Sequence, residues 1–443
     1  MALGSQATHV DTMATLTGLT HDIFVGKVVN NVRRESKVAM LFTDALPQGE
    51  YRLEGQNMVF SAKLRFATGG MGTDGKLPDH VPLDPTQGKL TPVRRYRRIA
   101  MDNMVGKRAT GPGAFEDITD WIFDQLWDSW ASMEIRHSIG ASTGVLCKVT
   151  SRSSNLSFIV EDGYNHDGTN PLLHISEGSI LGWYDVSAAG TGGAGRVSTV
   201  TPLNYNTNLI TMDSASTWEP SAQIAAGDFI YFATTNDSTK DYFTLERNLA
   251  PNGIGTILDP DAAATTVFNI SQTDYPRWKP YRKASATLDH MEVSDFFAQL
   301  AEKRKIDMDP NADVVVAHRG PVRQVARSLL GLQQQVYTGE ALKGGYSSVT
   351  VDGIGFLEDS FFYHDVLAVL HTPALFRVNL GGDADFWGED GSQWSRIADF
   401  DGKDAFVVDY LNFFSPHRGA HGALTGIITP DVTESDYDSI PNY

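Results

Sequence analysis

Two glycine-framed motifs and a few clusters of histidines and acids are the stretches whose residue types could do chemistry. Gly190-Thr-Gly-Gly-Ala-Gly195 has the G-x-G-x-x-G spacing, which holds a pyrophosphate when a strand precedes it and a helix follows. Here Arg196 opens a further strand, so a flexible hairpin loop is expected instead. Gly140-Ala-Ser-Thr-Gly144 has the G-x-S-x-G spacing of a nucleophilic serine held between strand and helix. Its context is reversed, with a helix before and a strand after, so a helix end followed by a turn is expected. His417 and His421 lie in a Pro/Gly/Ala loop without H-E-x-x-H pairing, and the acids of 383–390 lack the spacing of a calcium loop. Asn155-Leu-Ser157 and Asn269-Ile-Ser271 match the glycosylation pattern, but no basic-then-apolar leader opens the sequence. No acid–base or nucleophile set converges. No catalytic residue, metal ligand or cofactor is therefore assigned, and the chain is read as a non-enzyme.

The charges are unevenly distributed. The chain of 443 residues carries a net charge of -18, which argues against general nucleic-acid binding. Residues 50–108 nevertheless hold eleven Lys/Arg against six Asp/Glu, and residues 115–136 hold six acids against one Arg. Two adjacent elements of opposite sign are expected to meet, across a boundary between copies if the basic one projects. The single cysteine, Cys147, excludes an internal disulfide. No apolar run approaches the ~20 residues of a membrane span.

The elements that carry these charges follow from periodicity. Residues 1–48 read as an arm. Phe60, Ala62, Leu64 and Phe66 alternate with Ser61, Lys63 and Arg65, as in a strand with one wet face. A tip rich in Gly and Pro runs to Pro92, and Val93–Ile99, with Arg94, Arg95, Arg97 and Arg98, is expected to be the returning strand. This hairpin, 49–110, is expected to project because few apolar residues are present to bury it. A long helix follows within 111–143. Ile118, Ile122, Leu126, Trp130 and Met133 form its apolar stripe, widened by Trp121 and Trp127. Glu116, Asp120, Asp124 and Asp128 form an acidic row at a spacing of four.

Residues 144–274 change character to short strands separated by Gly, Asn, Asp and Ser, the pattern of an all-β barrel or sandwich inserted into the chain. Tyr275–Pro280 reads as a stiff linker. The segment 275–375 alternates helices, Met291–Lys305 and Pro321–Gln335, with strands at Ala312–Ala317, Tyr346–Val351, Phe356–Leu357 and Val366–Leu370. Strands return in 376–443, Ala405–Val408 the firmest, before an acidic tail.

This order of arm, hairpin, long helix and α/β region with returning strands resembles the major capsid proteins of tailed bacteriophages. Their Hong Kong 97-type fold is shared with herpesvirus capsids and encapsulins. Residues 50–108 look like its extended loop, 113–138 like its spine helix, and 285–375 like its axial domain. Gly344-Gly-Tyr-Ser-Ser-Val-Thr-Val-Asp-Gly-Ile354 is similar to a strand and turn there. The returning strands would complete the peripheral domain, and 144–271 would be an insertion domain. The fold class implied is α+β.

The resemblance implies a structural protein of the virion, assembled in the host cytoplasm. Its copies form hexamers and pentamers of an icosahedral shell around double-stranded DNA, with no sequence-specific contact and no membrane. A separate scaffolding protein, a portal and decoration proteins are implied partners. Lys76 and Lys89 lie where some relatives cross-link, but no acceptor Asn is identified. The residues expected at contacts between copies are Phe60, Lys63, Leu64, Arg65, Phe66, Arg94, Arg95, Arg97 and Arg98 on one side. Glu116, Asp120, Asp124 and Asp128 are expected on the other. The rival readings are an encapsulin-like compartment and a hydrolase with an appended β carbohydrate-binding domain. Charge reversal at Arg94, Arg95, Arg97 and Arg98 is expected to lower shell yield, measured by counting particles in electron micrographs.

Overall fold

The computed structural model describes residues 36–44, 51–54, 57–63, 85–102, 118–154, 156–162, 172, 174–185, 190–198, 203–204, 207–212, 224–233, 247–259, 264–332, 349–379, 385–386, 395–396 and 401–428. The chain divides into two compact units. The first is built from 92–135 and 378–412, and the second from 36–91, 136–377 and 413–443, with residues 1–35 assigned to the first.

In the second unit, β1 (Tyr51–Glu54), β2 (Asn57–Lys63) and β3 (Pro85–Leu90) form an antiparallel three-stranded sheet. The strand that returns along β2 is therefore Pro85–Leu90, not Val93–Ile99. Pro92 lacks the N–H that a continuous strand would use, and Gly88, expected in a loose tip, sits in β3 opposite Phe60. A Cβ at Gly88 would overlap the Phe60 ring. The described part of this hairpin does not project. Met58, Phe60, Ala62 and Leu90 are buried, and the Lys89 N–H donates to Phe268 O at 2.9 Å. Phe60, only 1 % exposed, packs against Phe268, Trp278 and Phe414 at 6.2, 6.3 and 5.2 Å between ring centroids. Trp278, expected in a linker, is part of this core and lies under the Arg418 guanidinium at 5.9 Å.

In the first unit, β4 (Val93–Asp102) pairs antiparallel with the return strand Gly402–Phe414 from Asp102↔Gly402 to Val93↔Leu411. Asp385–Phe386 and Ser395–Arg396 also pair with that return strand. The helix α1 (Ile118–Ile139) buries Leu126, Trp130 and Met133 against Val407, as its stripe predicts. Trp127 does not widen the stripe; it is 40 % exposed.

The end of α1 belongs to the second unit. Gly140 N–H closes the last turn on Arg136 O, Gly144 turns with φ +73°, and Ser142 N–H donates to Thr256 Oγ1. The G-x-S-x-G segment is thus a helix end and turn, as expected. Beyond it lie six antiparallel strands, β5 (Cys147–Arg152), β6 (Ser157–Asp162), β7 (Ile180–Asp185), β8 (Gly190–Arg196), β9 (Leu209–Thr211) and β10 (Phe229–Phe232). Their order is β9-β6-β5-β10-β7-β8. The bridge Val197↔Met212 and the bond from Ser198 N–H to Thr211 O join the two outer strands, closing the sheet into a barrel. Cys147, Val149, Phe158, Trp183 and Ile230 fill the interior. The glycine-rich motif is a strand, not a loop. Gly193 lies opposite Trp183, and no helix receives it. Two cations hold the barrel to its surroundings, Arg136 over Phe232 at 4.9 Å and Arg247 over Tyr184 at 3.6 Å.

After the short helix α2 (Ile254–Leu258) comes the main core of the second unit. It contains β11 (Tyr281–Ala284), α3 (His290–Arg304), β12 (Asp313–Ala317), α4 (Arg319–Leu332), β13 (Thr350–Val351), β14 (Ile354–Glu358), β15 (Leu367–His371) and β16 (Gly422–Thr425). The mixed sheet runs β11-β16-β15-β12-β14-β13. Asp289 caps α3 by accepting from Glu292 N–H at 2.7 Å. Asp352 and Gly353, both at positive φ, make the two-residue turn between β13 and β14. The apolar faces of α3 and α4 cover the sheet through Phe296, Leu300, Val322 and Val325. Among the described residues, no helix is long and apolar enough to cross a membrane.

Truncating Phe60→Ala is expected to cost about 3–5 kcal/mol in the isolated subunit, read by denaturant unfolding. A residue whose ring served only a neighbouring copy would leave that value unchanged.

Candidate functional site

The basic strand β4 was expected to carry contacts between copies, and its alternation gives two unlike faces. Arg95 points toward α1 and is 4 % exposed. Its Nε donates to Asp409 Oδ1 at 2.8 Å, and its Nη2 pairs with Asp409 Oδ2. The same Nη2 lies 3.6 Å from Glu134 Oε2 on α1, and the guanidinium lies 5.1 Å from the Trp130 ring. Opposite charges on the strand and the helix therefore do meet, but within one chain. Arg95 is thus enclosed by its own chain, so a charge reversal meant to test contacts between copies omits it.

The other face of β4 is open. Arg94 is exposed, and its guanidinium lies 5.9 Å from the ring of Tyr410, its partner across the ladder. Tyr96, two residues along and opposite Val408, is 59 % exposed, and Tyr410 is 40 % exposed. Such alternation sends neighbouring residues to opposite sides of the sheet, so Arg94, Tyr96 and Tyr410 share a basic, aromatic surface. Tyr96 and Tyr410 were not among the expected contact residues. The signal was available, since they alternate with arginines and with the apolar positions of the return strand.

The remaining expected residues scatter. Phe60 is buried by its own chain. Lys63 ends β2, and Asp120 and Asp124 lie on α1, as backbone positions. Arg98 pairs in the ladder with Phe406. Arg97 and Asp128 are half-buried. Leu64, Arg65, Phe66 and Glu116 lie outside the described residues, as do Lys76 and most of the acids of 383–390.

The hydrolase reading has one arrangement to consider. Ser415 Oγ lies 2.9 Å from His421 Nε2, and His421 Nδ1 accepts from the His371 N–H at 3.1 Å. That bond places the imidazole proton on Nε2, where it is donated to Ser415, the reverse of an activating base. Both side chains are fully buried. Burial pushes His421 down to about 3, so the ring stays neutral. Asp313 lies beside it, paired to Arg304 and to His371 Nδ1 at 2.6 and 2.9 Å. Burial alone would raise its carboxyl, but the bonds from Arg304, His371 and the Asp309 amide hold it well below the usual carboxylate range. The cluster is structural. Among the described residues, no group of three or more His, Cys, Asp or Glu is placed to hold a metal ion.

No family model matches the sequence, and no curated protein matches it. Solved structures do match. The capsid asymmetric unit of cyanophage A-1(L) has a TM-score of 0.53 at 14% sequence identity, covering 94% of this chain and 99% of that one. The fold is that of a phage capsid protein. Similar at lower TM-scores are the capsid of an empty GTA particle (0.46, 8% identity, 94% and 99% covered) and Microbacterium phage Oxtober96 (0.44, 10% identity, 94% and 98% covered). Within this capsid-protein fold, the β4–α1 pairing is an internal joint and the Arg94–Tyr96–Tyr410 face is the part left open.

Removing Asp409 leaves a buried guanidinium short of its main partner. Asp409→Ala is expected to cost about 3–5 kcal/mol, whereas Arg94→Ala should stay within about 0.5 kcal/mol. Urea unfolding of the two variants checks the contrast.

Proposed function

We propose that this chain is the repeating subunit of an icosahedral viral shell, a Hong Kong 97-type major capsid protein that encloses double-stranded DNA. The observation that carries this reading is the match to the cyanophage A-1(L) capsid subunit over 94% of this chain and 99% of that one. Coverage of both chains leaves little of either unmatched. The role is structural and not catalytic, in keeping with the buried, reversed Ser415–His421 pair.

In this reading, subunits join in hexamers and pentamers, and the open face of β4 contributes to the joints. Arg94 supplies a cation to a chain whose net charge is -18, while Tyr96 and Tyr410 supply amphipathic area of the kind enriched at interface centres. Each exposed ion pair adds only ~0–1 kcal/mol; apolar burial at the rings and repetition over many copies supply the rest. Strongly negative charge over the remainder of the shell limits adhesion to packaged DNA. A scaffolding protein, a portal and decoration proteins complete the set of partners, and the shell is assembled in the host cytoplasm and ends in the virion.

Electron microscopy of the purified chain, expressed with its scaffold, is expected to show closed particles tens of nanometres across; monomers or small oligomers alone would overturn the reading. DNA in particles from infected cells separates a virion from an encapsulin-like compartment. The triple substitution Arg94→Glu, Tyr96→Ser and Tyr410→Ser should lower particle yield by about tenfold or more while leaving subunit unfolding unchanged.

A further inference from the structure

The imidazoles of His318 and His364 are stacked, with centroids 3.7 Å apart and an interplanar angle of 28°. Both are buried. His318 follows β12 and precedes α4, and its Nδ1 accepts from the Gly320 N–H at 3.3 Å. That bond requires an unprotonated Nδ1, and the positive end of a helix dipole disfavours a cation there. Arg319 adds a further positive charge beside it. Burial, then His364 and Arg319, push His318 down to about 3. Burial pushes His364 down to about 4 against the opposing charge of Asp365.

His364 belongs to the loop that follows β14, and the same loop holds the N-terminal segment. Asp359 Oδ2 accepts from Ser36 Oγ, Lys37 N–H and Val38 N–H at 2.6, 2.9 and 3.2 Å. Its Oδ1 accepts from Phe361 N–H at 2.9 Å. The Asp359 N–H in turn donates to Ala317 O at 3.2 Å, next to His318. The stack and the clasp on the N-terminal segment are therefore two fastenings of one loop to one strand end. The charged and titratable groups around them are Arg319 with its partner Glu358 at 3.4 Å, Asp359, Asp365, Lys37, and His174, whose ring stacks on Phe361 of the loop at 6.4 Å.

We propose that the His318–His364 stack is an acid-sensitive catch: protonation parts the two rings, lifts the 359–365 loop from the start of α4, and frees the segment that Asp359 clasps at Ser36–Val38. Two cations cannot stay stacked at this distance without a counterion between them, and a proton on His318 Nδ1 turns the acceptor of the Gly320 bond into a donor. The sign follows from the lowered values. The closed form excludes protons that the open form binds near the ordinary 6.5. The clasp is thus fully present above about pH 6.5 and weakens as pH falls toward 4.

Hydrogen exchange of the full chain tests this at the Lys37 and Val38 amides, with the β12 and β15 amides as internal reference. Each histidine released multiplies the open fraction by about 30 between pH 7 and pH 5. Wild-type protection at Lys37 and Val38, corrected for intrinsic rate, should therefore fall by up to about 10³-fold over that range. His364→Phe, which keeps an aromatic stack, should reduce the loss to about 30-fold. The double variant with His318→Asn, whose side chain can still cap α4, should lose little. Asp359→Asn should lower protection at both pH values and certifies that these amides report the clasp. The proposal is overturned if the double variant loses protection as the wild type does. Constant wild-type protection overturns it as well. Should the variants fail to fold, histidine-labelled NMR of the wild type decides independently, because a charged His318 or His364 ring at pH 6 contradicts the catch.

Discussion

A buried guanidinium must have its partners, and Arg95 sets the terms for the first unit. Desolvating that charge without compensation costs several kcal/mol. The strand β4 therefore has to lie where Asp409, Glu134 and the face of Trp130 surround it. Asp409 is 314 positions away in sequence. One pairing thus fixes which strand β4 joins, and since a slip by one residue would turn Arg95 to the open side, it fixes the register as well. The stripe of α1 then closes over Val407 on the same side.

The same constraint recurs in the second unit with a different solution. Asp313 stays charged because Arg304 and His371 meet it. His421 and His318 stay neutral because burial and neighbouring positive groups disfavour a proton, and His364 because burial outweighs the charge of Asp365. Arg418, buried over the Trp278 ring, donates from Nε to Ile257 O at 2.8 Å and from Nη2 to Thr256 O at 3.3 Å, carbonyls at the end of α2. These charged and polar groups are tied to backbone or to one another, and such bonds favour one specific packing.

Exposed surface is what remains when internal demands have been met. Of the basic strand, one face is consumed by the subunit and the other, with Arg94, Tyr96 and Tyr410, is left outside. The aromatic residues of the hairpin tell the opposite story. Phe60, expected at a contact between copies, is the centre of a cluster with Phe268, Trp278 and Phe414.

Local pattern carried much of this fold. The 3.6-residue stripe of α1, the helix at His290–Arg304, the strand at Asp313–Ala317 and the β character from Cys147 to Phe232 all follow from periodicity and turn residues. Those features depend on neighbours a few positions away, and so they are written in any short window of the chain. Pairing is not. That Val93–Asp102 joins Gly402–Phe414 and not β2, that Gly190–Arg196 closes a ladder instead of a loop, and that Trp278 is core depend on partners elsewhere in the chain. Charge segregation between 50–108 and 115–136 is determined by the sequence alone. Whether the charges meet within a copy or between copies was decided by the tertiary structure, because only packing says which side of a strand is dry.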